Sequence, residues 1–326
     1  NAKPSEEALA ALKARIAKSR KDAKANKGAI LNGLTSYALY GPKNKFNNTL
    51  SDAELNAVTA QELVDRMKNL NNYEQTVIYY GPESLKNLTA KLGSLHKVPA
   101  NFAVAAPAKT FKQQAQSKNQ VLFTDYDMVQ AETRWIRNTT AYDPAQTTLV
   151  NVFNNYFGGG MGSIVFQTIR ESKALAYSTY GYYVQPQKKS DQYYMMSYVG
   201  SQADKFGDAV GAMNELLTKM PELSDNLELA KSQVKKDIQT ERVMQDDIIF
   251  RYLAAQQLGL KDDIRKEMYT SVDKITMADV KKFHTTHFSG KPYTYALVAS
   301  EKNVKMDDLK KIGEVKKISL EELFGY

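Results

Sequence analysis

The sequence contains no cysteine, and this absence excludes three kinds of chemistry from its 326 residues. Disulfide bonds, thiol nucleophiles and cysteine-ligated zinc all need a sulfur that the chain does not have. Histidine is also scarce, with His96, His284 and His287 as the full set. No apolar run approaches the roughly 18 residues that span a bilayer, so we expect no membrane span. The chain starts at Asn1 without an apolar signal core, which favours a processed or truncated piece.

The remaining composition is that of an ordinary globular protein, with 43% hydrophobic and 25% charged residues. The length favours two domains. The net charge is +8, and much of the excess falls on one predicted amphipathic helix. Its basic residues are typical of a solvated helix face. Binding of an acidic partner or substrate is the alternative, whereas the pattern of a nucleic-acid module is absent. The basic residues are Lys13, Arg15, Lys18, Arg20, Lys21, Lys24 and Lys27.

Two distant segments resemble each other. Val58-Thr-Ala-Gln-Glu-Leu63 and Ile275-Thr-Met-Ala-Asp-Val280 each place an acid three residues after a threonine, the pattern of a capping box that opens a helix. A β-rich run follows each helix, at residues 76–80 and 294–298. Upstream, Lys13, Ile16 and Gly41 pair with Lys231, Val234 and Gly259 at nearly the same offset.

These matches predict that residues 13–82 and 231–300 are one structural unit present twice, although helix caps recur widely and chance similarity is the alternative. The predicted division is 1–96 as the C-terminal part of a preceding repeat, 97–119 as an extended linker, and 120–326 as a complete unit. The linker assignment depends on its prolines and small polar residues. On this hypothesis the parent protein extends upstream of Asn1.

In the complete unit, alternation of apolar and polar residues predicts strands at 121–124, 129–137, 177–185, 192–200 and 293–299. Helices are predicted at 145–157, 163–173, 204–219, 224–245, 246–258, 261–270 and 277–286. Strands and helices are segregated rather than strictly alternating. We therefore expect an α+β fold, with an antiparallel-rich sheet and helices packed on one face.

The most informative segment is Phe157-Gly-Gly-Gly-Met-Gly-Ser163, followed by Phe166-Gln-Thr-Ile-Arg-Glu-Ser-Lys-Ala-Leu-Ala-Tyr177. It places Arg170 and Tyr177 seven residues apart, the spacing of two helical turns, and a cation and a phenol so placed suit a peptide carbonyl. The alternatives are a structural Arg170 paired with Glu171 at a helix end, and a strand tyrosine with a satisfied hydroxyl. The glycines lack the Gly-Lys-Ser/Thr ending of a phosphate loop.

This segment resembles the C-terminal-half signature of the M16 zinc metallopeptidases, which include pitrilysin, insulin-degrading enzyme and the mitochondrial processing peptidases. Asn226–Lys231 and Ile275–Val280 also fit the family pattern. The resemblance implies tandem M16-type α+β units forming two half-shells around a chamber. It further implies a zinc site in an N-terminal His-x-x-Glu-His motif, and an arginine and a tyrosine that stabilise the tetrahedral intermediate. By motif position these are Arg170 and Tyr177.

The sequence departs from a complete enzyme because it has no His-x-x-Glu-His motif. We therefore expect the zinc to belong to the parent enzyme and not to this chain, which alone should be inactive. The predicted function is the substrate-binding C-terminal half of a zinc metalloendopeptidase; the alternative is a non-catalytic partner subunit or peptide-binding module. Expected partners are a peptide substrate and either the N-terminal half of the same protein or a catalytic M16 subunit, with no nucleic acid.

Two further expectations concern compartment and histidines. The resemblance and the lack of cysteine favour the bacterial periplasm. His284 and His287 lie three residues apart, a spacing that can place two imidazoles on one helix face. Without an acidic third ligand nearby, surface histidines are favoured over a metal pair.

Overall fold

The computed structural model describes residues 2–326, except for the side chain of Asp246. Six strands form one sheet: β1 (Gln120–Asp125), β2 (Gln130–Ala141), β3 (Ala176–Val184), β4 (Gln192–Gln202), β5 (Thr294–Ala299) and β6 (Glu314–Lys317). A π-helix spans Phe166–Ser172. The α-helices are α1 (Glu6–Lys24), α2 (Lys27–Tyr40), α3 (Asp52–Ala57), α4 (Ala60–Asn69), α5 (Leu85–Leu95), α6 (Thr147–Phe157), α7 (Phe206–Thr218), α8 (Ser224–Thr240), α9 (Gln245–Gln257), α10 (Ile264–Ser271), α11 (Met277–His287), α12 (Met306–Ile312) and α13 (Leu320–Phe324).

The strand order across the sheet is β3-β4-β2-β5-β1-β6. Neighbours from β3 to β5 are antiparallel, whereas β1 runs parallel to both β5 and β6. β5 lies between β1 and β2, and all six of its residues are buried. The α+β class with an antiparallel-rich sheet is therefore confirmed.

Alternate residues of the central strands supply two separate apolar clusters, as the pleat of a strand requires. On one face, Phe123 and Leu297 join a large cluster with residues of α6, α7, α8 and α11. On the other face, Leu122 and Val298 pack with α2 and α13. The predicted helical layer is thus present, and α2 and α13 additionally cover the middle of the opposite face.

The basic face of α1 is only partly solvated. Lys13, Arg20 and Lys24 are half-buried. The Nζ of Lys13 donates to the carbonyls of Asn56 and Val58, each at 2.7 Å, and the Arg20 guanidinium lies 4.4 Å from the centre of the Tyr326 ring. The prediction of one wet face is wrong for these three residues, because they anchor the segment before α4 and the C-terminal residue.

Both predicted capping boxes are present, at the starts of α4 and α11. Gly41 and Gly259, which the repeat pairs, both have positive φ, at 86° and 71°. The predicted strand at 294–298 forms as β5, but the one at 76–80 is wrong. Within residues 2–326 that segment has no strand beside it, so its backbone forms no ladder. The division at 96 and 119 stays a prediction.

The expectation of surface histidines is wrong for both residues of α11, because this helix packs one side against the aromatic part of the core. His284 is buried; its Nε2 lies 2.9 Å from the Leu216 carbonyl and its ring stacks on Phe288. The Nδ1 of His287 lies 3.3 Å from the Tyr183 hydroxyl. Burial, reinforced by Lys291 and Arg137, lowers the pKa of His287 to about 4.

We therefore expect acid to destabilise the fold partly through His287. The unfolded residue titrates near 6.5 and the folded one near 4, so between these pH values the unfolded chain binds more protons. Stability should fall as the pH drops from 6.5 to 4, and His287 should account for about 1–3 kcal/mol of that loss. In urea unfolding at several pH values, His287→Gln should flatten the dependence, whereas His96→Gln, at an exposed site, should not. Equal slopes for both variants would contradict this role.

Candidate active-site segment

The glycine-rich turn lies where the backbone at the end of α6 contacts the backbone of β3. α6 ends at Phe157 and is capped by Gly158, whose N–H donates to the Asn154 carbonyl at 3.1 Å. A Cβ on Gly158 would lie 2.2 Å from the nitrogen and 2.4 Å from the oxygen of Gly181 in β3. No side chain fits at that distance, so the end of α6 can contact the edge strand only through glycine.

The chain then forms the π-helix rather than the ordinary helix that the sequence predicts for 163–173. Buried Ile169 holds its inner side in the core. The N–H of Lys173 donates to Thr168, five residues back, at 3.1 Å. Ala174 then takes a φ of 49°, the sole positive value at a non-glycine within residues 2–326. π-helical turns and such backbone positions are concentrated at functional sites.

This reversal, and not a helical repeat, brings the two predicted residues together. Tyr177 lies at the start of β3 and not in a helix, so the prediction that two helical turns separate it from Arg170 is wrong. Nevertheless the Arg170 guanidinium carbon lies 5.2 Å from the centre of the Tyr177 ring and 4.7 Å from that of Phe166. Such contacts contribute roughly 0.5–1 kcal/mol each at exposed sites, enough to orient the cation.

Both functional groups remain accessible. Tyr177 is 81% exposed, and within residues 2–326 its hydroxyl has no hydrogen-bond partner. The Arg170 Nε lies 3.6 Å from a Glu171 carboxylate oxygen, too far for a hydrogen bond, and the described residues provide no other acceptor. The alternative that Arg170 is a structural residue paired with Glu171 thus explains one long ion pair. It does not explain why the N–H donors of Arg170 have no acceptor among the described residues.

The edge of the sheet beside this segment is largely occupied. The Asn154 side chain accepts from the Tyr183 N–H at 2.8 Å and donates to the Tyr183 carbonyl at 3.0 Å, as a neighbouring strand would. Gly158 covers Gly181. These contacts leave only the start of β3, from Tyr177 to Thr179, open to pairing at this edge of the sheet. This part of the strand lies next to Arg170.

Phe166 and Asn154 were not predicted as site residues. The signal for Phe166 was its position one helical turn before Arg170, which places a ring beside a cation. Asn154 gave no signal, because its role depends on where β3 passes α6.

A metal centre does not fit the described side chains. Residues 2–326, without the Asp246 side chain, contain no group of three histidine or carboxylate ligands able to hold an ion. The zinc expected of the parent enzyme therefore has no ligand set in this part of the chain. No helix in the described part is long and apolar enough to cross a bilayer.

The glycine contact provides a test of the segment. Gly158→Ala should destabilise the protein by about 1–3 kcal/mol or more, because the new methyl group meets the Gly181 backbone. Gly160→Ala is the matched control: a Cβ there has nothing within 4 Å, so its effect should stay within about 0.5 kcal/mol. Thermal unfolding of both variants measures the difference. A Gly158→Ala variant as stable as the control would contradict the close approach.

Comparison with known proteins identifies the family and the fold of the chain. The sequence model of a family described as "Peptidase M16 inactive domain" matches residues 57–234, more than half of the chain. A search of curated protein sequences finds no significant match. The match runs from Ala57, the last residue of α3, to Val234 within α8.

Solved structures share the fold at low sequence identity. A peptidase M16 inactive domain from Pseudomonas fluorescens has 17% identity and a TM-score of 0.68, covering 91% of this chain and 71% of its own. A mutant ferredoxin protease FusC in complex with Arabidopsis ferredoxin has 14% identity and a TM-score of 0.63, over 91% of this chain and 32% of its own. Pitrilysin has 11% identity and a TM-score of 0.64, over 100% and 35%. With the family match over residues 57–234, the chain belongs to the M16 peptidase family, as an inactive-domain member.

Proposed function

We propose that this chain is the substrate-binding, C-terminal part of an M16-type endopeptidase that hydrolyses peptides in an enclosed chamber, with Arg170 and Tyr177 contacting the peptide backbone. The observation that carries the proposal is the Arg170 guanidinium held against the Phe166 and Tyr177 rings with its N–H donors unused. An arginine kept for an ion pair would direct those donors to a carboxylate, whereas the Glu171 carboxylate lies 3.6 Å from its Nε.

The chemistry suits a carbonyl that gains negative charge. The guanidinium is permanently charged and offers several N–H donors, and the Tyr177 phenol adds an O–H donor. Attack on a peptide bond converts the carbonyl oxygen into an oxyanion. Donors already in place stabilise that oxyanion more than the original carbonyl, which lowers the barrier.

The peptide main chain would pair with the free start of β3. Strand addition uses unpaired backbone groups at a sheet edge, and Asn154 and Gly158 confine that possibility to residues 177–179. Pairing there would place the scissile carbonyl beside Arg170. The ferredoxin protease structure, a fold neighbour bound to ferredoxin, supports a polypeptide as the substrate class.

The catalytic metal would come from another part of the assembly. In the parent enzyme a zinc-bound water would supply the nucleophile, held by ligands in an N-terminal half or a catalytic partner subunit. This chain's own contribution is to bind and orient the peptide and to donate hydrogen bonds to the oxyanion.

Substitutions in the assembled enzyme test these roles. Arg170→Ala and Tyr177→Phe should each lower kcat by about 10²–10³, the cost of one lost oxyanion donor, with a smaller change in KM. Arg15→Ala and Tyr269→Phe are matched controls at exposed sites in α1 and α10 and should leave kcat unchanged. If both site variants turn over substrate like the controls, the proposed roles are wrong.

The description of the matched family as an inactive domain favours one alternative, a non-catalytic partner subunit or peptide-binding module. The same exposed donors could then hold a peptide without promoting its cleavage. Both functions use one surface, so binding alone does not distinguish them.

Zinc content and chelator sensitivity distinguish the two functions. The full-length product of the parent gene should contain about one zinc per chain and lose peptidase activity with 1,10-phenanthroline, because metal-bound water is the nucleophile. The isolated chain should bind peptide without cleaving it. A full-length product with neither zinc nor activity would favour the partner function, and metal-dependent cleavage by the isolated chain would contradict both.

A further inference from the structure

The outer strands of the sheet, β3 and β4, carry aromatic side chains on the face that points away from the large helical layer. Gly181 faces α6, since a Cβ there would lie 2.9 Å from the Phe157 ring. Tyr180 and its alternate neighbours in β3 therefore point to the opposite face. On that face α2 packs mainly against β1, β2 and β5. The half-buried side chains on the outer strands are Tyr180, Tyr182, Val184, Tyr194, Met196 and Tyr198.

Two small residues make a depression in this face beside the edge of the sheet. Ser178 and Gly200 are direct cross-strand partners. The next pair along the strands, Tyr180 and Tyr198, has its rings stacked at 4.9 Å and 22°. A Cβ on Gly200 would lie 2.5 Å from the Tyr198 hydroxyl, so the phenol leans over this glycine. The result is a tyrosine notch, with Ser178 as its floor and the rings of Tyr180 and Tyr198 as its wall.

A buried carboxylate fixes one wall of the tyrosine notch. The Tyr198 hydroxyl donates to Glu132, which is 5% exposed and also accepts from the Lys27 ammonium group. Because this hydroxyl is already used, Tyr198 offers its ring to the notch rather than a donor. The paired Lys27 and Glu132 carry no net charge, and a charged side chain in the notch would lose water without gaining a partner. The notch therefore suits an uncharged, apolar side chain.

The peptide that pairs with the start of β3 directs one side chain toward this notch. In an edge strand every second residue turns its N–H and C=O outward, and Tyr183 turns both toward Asn154. By the same period, Thr179 turns its backbone groups to the open edge. A peptide residue opposite Ser178 then projects its side chain onto the aromatic face. Its Cβ lies diagonal to that of Tyr180, at about 7–8 Å, which a large side chain can bridge.

We propose that the tyrosine notch is a specificity subsite, which selects peptides with a bulky apolar or aromatic side chain at the position opposite Ser178. Tyr180 supplies the ring that this side chain contacts, and the stacked Tyr198 ring supports it. The inference rests on the proposed function, because the peptide reaches the notch only by pairing with the start of β3. It extends that function by naming the class of peptide that the site prefers.

Paired peptide substrates test the notch in the assembled enzyme. The peptides of a pair differ only in having phenylalanine or serine at one position, and the position is moved along the sequence. At one position phenylalanine should raise kcat/KM by about 10–100-fold over serine. Tyr180→Ser should lower this preference about tenfold by slowing only the phenylalanine peptide, whereas Tyr180→Phe keeps the ring and should keep the preference. Val184→Ser, on the same face beyond the Asn154 contact, is the matched control and should also keep it.

Arg170→Ala separates the notch from the proposed function. It should slow both peptides of a pair equally, because Arg170 contacts the peptide carbonyl and not the side chain. If it does so while Tyr180→Ser leaves the preference intact, the notch is not the subsite and the proposed function stands. A Tyr180→Ser variant that slows both peptides equally would also overturn the notch. If Arg170→Ala leaves turnover unchanged, the proposed function is wrong and the notch is overturned with it.

Discussion

The contact between the Gly158 and Gly181 backbones is the constraint on which the candidate site depends. It places the end of α6 against the edge strand β3. The chain that joins them passes through the π-helix and reverses its direction at Ala174. The position of Arg170 beside Tyr177 is thus a consequence of how closely two backbones approach.

The orientation of Arg170 follows from a balance of weak terms. A solvent-exposed ion pair contributes about 0–1 kcal/mol, and the Glu171 carboxylate is 3.6 Å away. Two rings at 4.7 and 5.2 Å offer comparable or greater attraction without using the N–H donors. The rings therefore hold the cation while its hydrogen-bonding capacity stays free, which the proposed contact with an oxyanion requires.

The sequence was sufficient for the features that depend on local chemistry. The capping boxes of α4 and α11 concern neighbouring residues, and both formed as predicted. Features set by distant packing were not predictable. His284 gives no local sign that α11 is buried on that side, and nothing near Asn154 shows that β3 will pass it. The short elements α12, β6 and α13 were also missed, because distant parts of the chain stabilise them: β1 contacts α12 and β6, and α2 contacts α13.

The two copies of the repeated pattern show the same limit within one chain. Residues 76–80 and 294–298 have similar β-rich compositions, yet only the second forms a strand. Strand propensity is mainly a measure of how well side chains fit a pleated, buried surface. β1 and β2 provide that surface for β5, whereas the described residues provide none for Thr76–Tyr80.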